Sequence, residues 1–153
     1  MIHIRVDVPR QQYERIRKSL REFRPFFESE GSPLIYSEIR KVFDTEGYGS
    51  WPPLSPAYAR WKRIVAPGKK MLRLTDAYFQ SATSSTGIGS VYRVSERHLK
   101  IGVDSSKFRE RYPTKHEAGI DVPARPVFEI AAERVIPQIA TAFQRYVFRR
   151  IRR

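Results

Sequence analysis

At 153 residues and 17.9 kDa the chain has room for one domain and too little for two full-sized ones. A hydrophobic content of 41% argues against wholesale disorder, and the absence of cysteine excludes disulfides, thiolate metal sites and a cysteine nucleophile. Lys and Arg number 29 against 16 Asp and Glu, a net charge of +13 that favours polyanions or acidic protein surfaces as partners. The excess is spread along the chain: +4 over residues 1–24, +5 over 51–80, +3 over 81–127 and +4 over 128–153, interrupted by −3 over 25–50. No apolar run approaches a membrane span, and the alternating start MIHIRVDVPR is unlike a signal peptide.

Residues 2–8 predict a strand with Ile2, Ile4, Val6 and Val8 on one face, ended by Pro9. A helix is expected over 10–24, with Tyr13, Ile16, Leu20 and Phe23 at helical spacing and Pro25 breaking it. Ser32-Pro33 predicts a cap and first-turn proline, opening a helix whose apolar face is Ile35, Ile39, Val42 and Phe43 and whose terminator is Gly47. Residues 45–72 read as an extended loop region with a short helix. The Gly and Pro density of T-E-G-Y-G-S-W-P-P-L-S-P forbids regular structure, while Ser55-Pro56 caps a helix over Ala57–Val65. Thr75 is expected to cap another short helix holding Tyr78 and Phe79.

Residues 90–94 and 99–103 predict a β-hairpin around S-E-R-H. Pro123 and Pro126 leave the next stretch extended at best, an edge strand at most. Residues 127–153 read as a C-terminal helix with a basic end, opened by Pro126, with Phe128, Ala132, Val135, Ile139, Phe143 and Tyr146 as its apolar face and Pro137 kinking or dividing it. The expected fold is thus a single α+β domain over 1–153: a small, mostly antiparallel sheet of N-terminal strand plus hairpin, packed with helices, with a long loop insertion and a C-terminal helix.

Catalytic and cofactor motifs are scarce. His3, His98 and His116 lie far apart without metal-ligand spacing, and His116-Glu117 is the best acid/base pair, weighed against a solvated or capping histidine. Gly87-Ile88-Gly89 lacks the third glycine of a phosphate loop and reads better as the entry to the hairpin. No nucleophile elbow and no G-K-S/T occurs, so the expectation is a protein without catalysis, metal or cofactor. Lys69 and Lys70 in a Gly/Pro loop, with Arg145, Arg149, Arg150, Arg152 and Arg153 at the C-terminus, are candidate contacts to DNA or an acidic partner. The alternative for the arginines is a frayed, solvated helix end that complements the helix dipole. Tyr48, Trp51 and Leu54 in the loop, with Trp61, are candidate anchors of a subunit or partner interface, because large aromatics in a mobile segment suit that role.

Three ordered features carry a resemblance: W-P-P-L-S-P-A-Y-A-R-W-K, then K-K-M-L-R-L-T-D-A-Y-F-Q-S-A-T before a hairpin, then Y-P-T-K-H-E-A-G-I-D-V-P-A-R-P-V-F leading into the last helix. The set resembles the phage virion-morphogenesis family, the tail-completion and head–tail joining proteins of tailed phages, including Mu-like ones. That family's pattern runs W-x-P-L-x-x-x-T-x-x-x-K, I-L-x-x-T/S-G-x-L-x-x-S, Y-A-x-x-H-x-x-G and I-P-A-R-P-F-L. Trp51, Pro53, Leu54 and Lys62 answer the first block, and Leu72, Thr75, Tyr78, Phe79 and Ser81 the second, with Asp76 where the family has glycine. Tyr112, His116 and Gly119 answer the third, and Val122, Pro123, Ala124, Arg125, Pro126 and Phe128 the fourth. The resemblance covers residues 40–130 and implies an architectural role for Tyr112, His116, Gly119, Pro123, Arg125 and Pro126. It also implies a structural, non-enzymatic protein of the virion, assembled in the host cytoplasm into a hexameric ring between head connector or neck proteins and tail tube, with packaged DNA passing through the lumen and no membrane. The rival readings are a basic nucleic-acid-binding module and a small hydrolase or nuclease using His116.

Overall fold

The computed structural model describes residues 10–19 and 21–152. The strand expected over 2–8, the side chains of Tyr13 and Ile16, Leu20, and Arg153 lie outside them. Among the described residues seven α-helices and one hairpin follow in order: α1 Arg10–Ser19, α2 Arg24–Phe26, α3 Ser32–Asp44, α4 Pro56–Val65, α5 Ala77–Thr83, β1 Ser90–Val94, β2 Leu99–Val103, α6 Tyr112–Ala118 and α7 Phe128–Ile151. This is a small α+β fold. Its described sheet is the two-stranded antiparallel hairpin, with Tyr92 opposite Ile101 and Val94 opposite Leu99, as the alternation and turn predict.

The first helix is shorter than its apolar spacing predicts. It ends at Ser19, and the chain turns so that the Phe23 N–H reaches the carbonyl of Glu96 in the hairpin turn (2.9 Å) and the Phe23 ring meets Phe143 edge-on at 5.0 Å. Pro25 therefore opens α2 rather than ending α1, its missing N–H costing nothing in a first turn. Ser32 is not a cap. α2 passes into α3 through a π turn over Phe27–Gly31, with Gly31 and Ser32 both in the right-handed helical region. Pro33 cannot donate into the helix, and the widened turn precedes it. There the Ser32 N–H bonds the Phe27 carbonyl, and the Ser32 hydroxyl donates to the same oxygen at 2.7 Å.

The core gathers Ile39, Val42 and Phe43 of α3, Trp51, Tyr78 and Ala82 of α5, Phe108, and Val127 and Ala131 at the start of α7. α3 packs along α7, and α1 packs on α7 as well. α7 runs uninterrupted across Pro137. Its inward face is Ala131, Val135 and Ala142 with Phe128, Ile139, Phe143 and Tyr146 half-buried, whereas Ala132 points to solvent. The stretch from Val122 to Pro126 forms no strand.

α3 ends at Asp44, and its left-handed cap residue falls one position before the glycine that the sequence nominates. Glu46 adopts φ 52, its N–H bonding Phe43 O, while Gly47 at φ 71 bonds Val42 O at 2.8 Å, the paired bonds of a Schellman terminus. A side chain at Gly47 would also run into the indole of Trp51, whereas one at Gly49, also at positive φ (77), would meet nothing within 4 Å. Gly47→Ala is therefore expected to cost about 2–4 kcal/mol, strain plus displacement of a buried ring, and Gly49→Ala only about 1 kcal/mol. Urea denaturation of the two variants checks this, and equal losses would mean that the Trp51 contact is not a constraint.

Candidate functional site

Trp51 is a core residue, 5% exposed, its indole N–H donating to Pro126 O at 3.1 Å and its ring edge-on to Phe43 at 6.2 Å. The expectation of Trp51 as an anchor for another subunit is corrected by this burial: the ring is already covered by its own chain. The misreading arose because the indole's hydrogen-bond acceptor stands 75 residues away and leaves no local periodicity.

Around Trp51 the blocks singled out in the sequence meet. Arg125, itself buried, donates from Nε and Nη2 to Pro52 O (3.1 and 3.0 Å) and from Nη2 to Pro53 O (3.1 Å). Buried Lys62 on α4 donates to Lys70 O at 2.5 Å, and the Glu46 carboxylate accepts Met71 N at 2.8 Å. Burial moves both cations below their ordinary pKa values, and Lys62 gains from Glu46 while Arg125 opposes. The loop pairs only part of its backbone itself, in turns such as Ser50 N on Gly47 O, and these side chains reach groups that the turns leave open. Leu54 is half-buried beside them, so the loop is a built part of the body.

Tyr78 is fully buried against Phe43, Phe108 and Tyr112, and its hydroxyl donates to Glu117 at 3.0 Å. The same Glu117 oxygen accepts Val127 N (2.7 Å) and Phe128 N (3.2 Å), so a carboxylate on α6 caps α7. Desolvation nonetheless pushes the Glu117 pKa upward against these three hydrogen bonds. A cavity of about 410 Å³ opens beside it between Tyr78, Gly102, Val103 and Phe128. His116 does not pair with Glu117. It is half-buried, its carbonyl accepts Arg125 N at 2.7 Å, and its Nδ1 is buried without a partner. Burial, then the charge of Arg125, lowers its pKa, and a backbone hydrogen bond to Pro123 opposes. Gly119 ends α6 at φ 69. Sequence reasoning assigned Glu117 only to acid/base work. The missed signal was the lack of any Ser, Thr, Asp or Asn where α7 starts.

The candidate polyanion contacts are partly spoken for. Lys69 is paired with Asp76, Arg149 with Glu30, and Arg150 donates to the Tyr146 hydroxyl at 2.8 Å. Lys70, Arg145 and Arg152 are exposed. Tyr48 is held by Glu38, which accepts its hydroxyl at 2.5 Å, and lies under Arg134, 3.5 Å from the ring centroid. Trp61 is 46% exposed on α4 and stacks at 5.3 Å with Tyr58. Of the four aromatic and aliphatic interface candidates, Trp61 is thus the one whose apolar face is open to a partner.

Among the described residues no group of three or more His, Asp or Glu side chains could hold a metal, and no helix is long and apolar enough to cross a membrane. No family model, no curated protein and no solved structure matches the chain.

Trp51→Ala is expected to destabilise the chain by about 3–5 kcal/mol, and Trp61→Ala by under about 1 kcal/mol. Chemical denaturation followed by circular dichroism measures both, and a neutral Trp51→Ala would place the ring outside the core. His116 gives a pH signature. Its folded pKa lies below the ordinary 6.5, so the unfolded chain takes up the proton first as pH falls. The stability that neutral His116 contributes is complete above pH 6.5 and is lost as pH drops through the lowered folded value. The stability difference between wild type and His116→Gln should therefore be flat above pH 6.5 and decline below it. A difference that grows on acidification would reverse the assignment.

Proposed function

We propose that this protein is a non-enzymatic structural component of a tailed phage, a tail-completion or tail-terminator protein that forms a ring at the head–tail junction in the virion. The observation that carries the reading is the backbone at the two pattern glycines. Asp76 stands where the family pattern has glycine, and it adopts φ 58, a conformation that glycine takes freely and aspartate tolerates. Gly119, the glycine of the third block, sits at φ 69. The four blocks also converge on one scaffold, Trp51 on Pro126, Arg125 on Pro52 and Pro53, and Tyr78 on Tyr112. Their chemistry is spent on holding backbone and closing a core, which suits architecture rather than turnover. A head connector and a tail tube are the expected neighbours in this reading, and packaged DNA passing the lumen gives the exposed Lys70, Arg145 and Arg152 a counter-charge.

In a phage that encodes the chain, quantitative mass spectrometry of purified particles should find it in copy numbers that are multiples of six. Deleting it should leave filled heads and finished tails that fail to join, and supplied protein should restore joining. Particles that lack the protein, or a deletion with unchanged infectivity, would overturn the reading. Salt-sensitive duplex binding together with absence from particles would favour a nucleic-acid-binding module.

A further inference from the structure

Among the described residues, two open apolar surfaces share no residue and differ in shape. On α4, at roughly 100° per residue, Ala57, Tyr58, Trp61, Ile64 and Val65 fall on one arc about 120° wide. Tyr58 is 41% exposed, Trp61 46%, Ile64 81% and Val65 50%. Tyr58, Trp61 and Val65 have the i, i+3, i+7 spacing of a helix that docks in a groove. Arg60 lies about 40° beyond one edge of the arc, exposed and without an ion pair among the described residues.

The second surface is a groove of about 370 Å³ between the π-turn region and α7, lined by Phe23, Phe26, Phe27, Ile136, Ile139 and Phe143 among others, with almost no polar wall. Ile136 is 62% exposed at its edge. Glu133, three residues before Ile136, and Glu129, one further turn back, share that side of α7. Both are exposed and make no ion pair among the described residues.

We propose that α4 of one copy seats in this groove of the next copy, with Trp61 and Ile64 inserted between Phe27 and Ile136, and Arg60 facing Glu129 and Glu133. Apolar centre meets apolar centre, and basic flank meets acidic rim. Stacked nucleobases fit the arc less well, because Ile64 and Val65 offer no π-face. Two different, complementary patches on one chain make a head-to-tail contact, which closes into a ring when the rotation allows and otherwise runs on as a filament. The contact deepens the ring reading above and rests on it for closure alone.

Sedimentation velocity of the full chain tests the contact with wild type, Ile64→Glu, Ile136→Glu and an equimolar mixture of the two variants, one of them tagged. Both side chains stand largely in solvent, so each variant should keep the wild-type melting temperature. Wild type should sediment as a discrete oligomer, and each variant alone as a monomer, its self-association weakened more than about 30-fold. The mixture should give a one-to-one heterodimer and nothing larger, because each variant retains one good surface and lacks the other. Wild-type oligomers with variants that assemble equally well would overturn this contact and leave the ring standing. A mixture that stays monomeric would also overturn it, and would assign the two surfaces to a two-fold contact or to a different protein. Wild type that is monomeric at every concentration, while present in particles in copies of six, would overturn self-docking without touching the virion reading.

Discussion

The Arg125 guanidinium sits in the interior with no carboxylate partner among the described residues, and the irregular half of the molecule depends on it. Its hydrogen bonds go to the carbonyls of Pro52 and Pro53, oxygens in a segment whose prolines and glycines rule out a helix or a ladder. The indole of Trp51 answers by donating to Pro126 O, so residues 51–53 and 125–126 each satisfy the other's backbone. A buried cation among carbonyl dipoles is costly to desolvate, and leaving those oxygens unpaired is costly too. Lys62 on Lys70 O and Glu46 on Met71 N repeat the arrangement further along the loop. The long insertion is ordered by side chains that replace the missing backbone pairing.

The charge pattern resolves in the same way, through contacts distant in sequence. Residues 25–50 carry −3 and residues 128–153 carry +4, and α3 packs along α7. Glu30 pairs with Arg149, Glu38 accepts the Tyr48 hydroxyl and lies 3.5 Å from the Gln138 amide, and Arg134 covers the Tyr48 ring. Part of the basic C-terminal helix is thereby matched to the one acidic stretch of the chain. The exposed basic groups that remain stand late in α7, at Arg145, and just past its end, at Arg152, and the loop adds Lys70.

Legibility in the sequence followed locality. The hairpin and the Ser55 cap of α4 were readable because their signals, alternation around a turn and a hydroxyl before proline, act within a few residues. The end of α1 was not, because Phe23 leaves the helical path for partners at Glu96 and Phe143. The π turn was hidden because Ser32-Pro33 is an equally good helix start when read alone. Of the site, Tyr112, His116, Gly119, Pro123, Arg125 and Pro126 are singled out by the resemblance, but their contacts are not legible in it. Nothing local says that Arg125 reaches back to Pro52 or that Glu117 caps a helix ten residues on.

The orientation of α4 bears on what its open face is for. Trp61 and Lys62 are neighbours, and a helix places neighbours about 100° apart. Rotation by that angle would bury an indole and free an ammonium, the arrangement that hydrophobic burial and ion hydration both favour. The chain does the reverse: Lys62 is buried on a carbonyl while Trp61, Ile64 and Val65 face outward. Stability of the isolated chain does not select that rotation, because each outward side chain forgoes burial and Lys62 loses hydration. Natural sequences depart from local consistency chiefly at sites that serve something beyond the fold. The inverted helix is tied to the loop that follows it through Lys62, on its polar side, which leaves its apolar side presented. A presented, pre-ordered aromatic face loses little entropy on docking, and that is the property a repeating contact between copies requires.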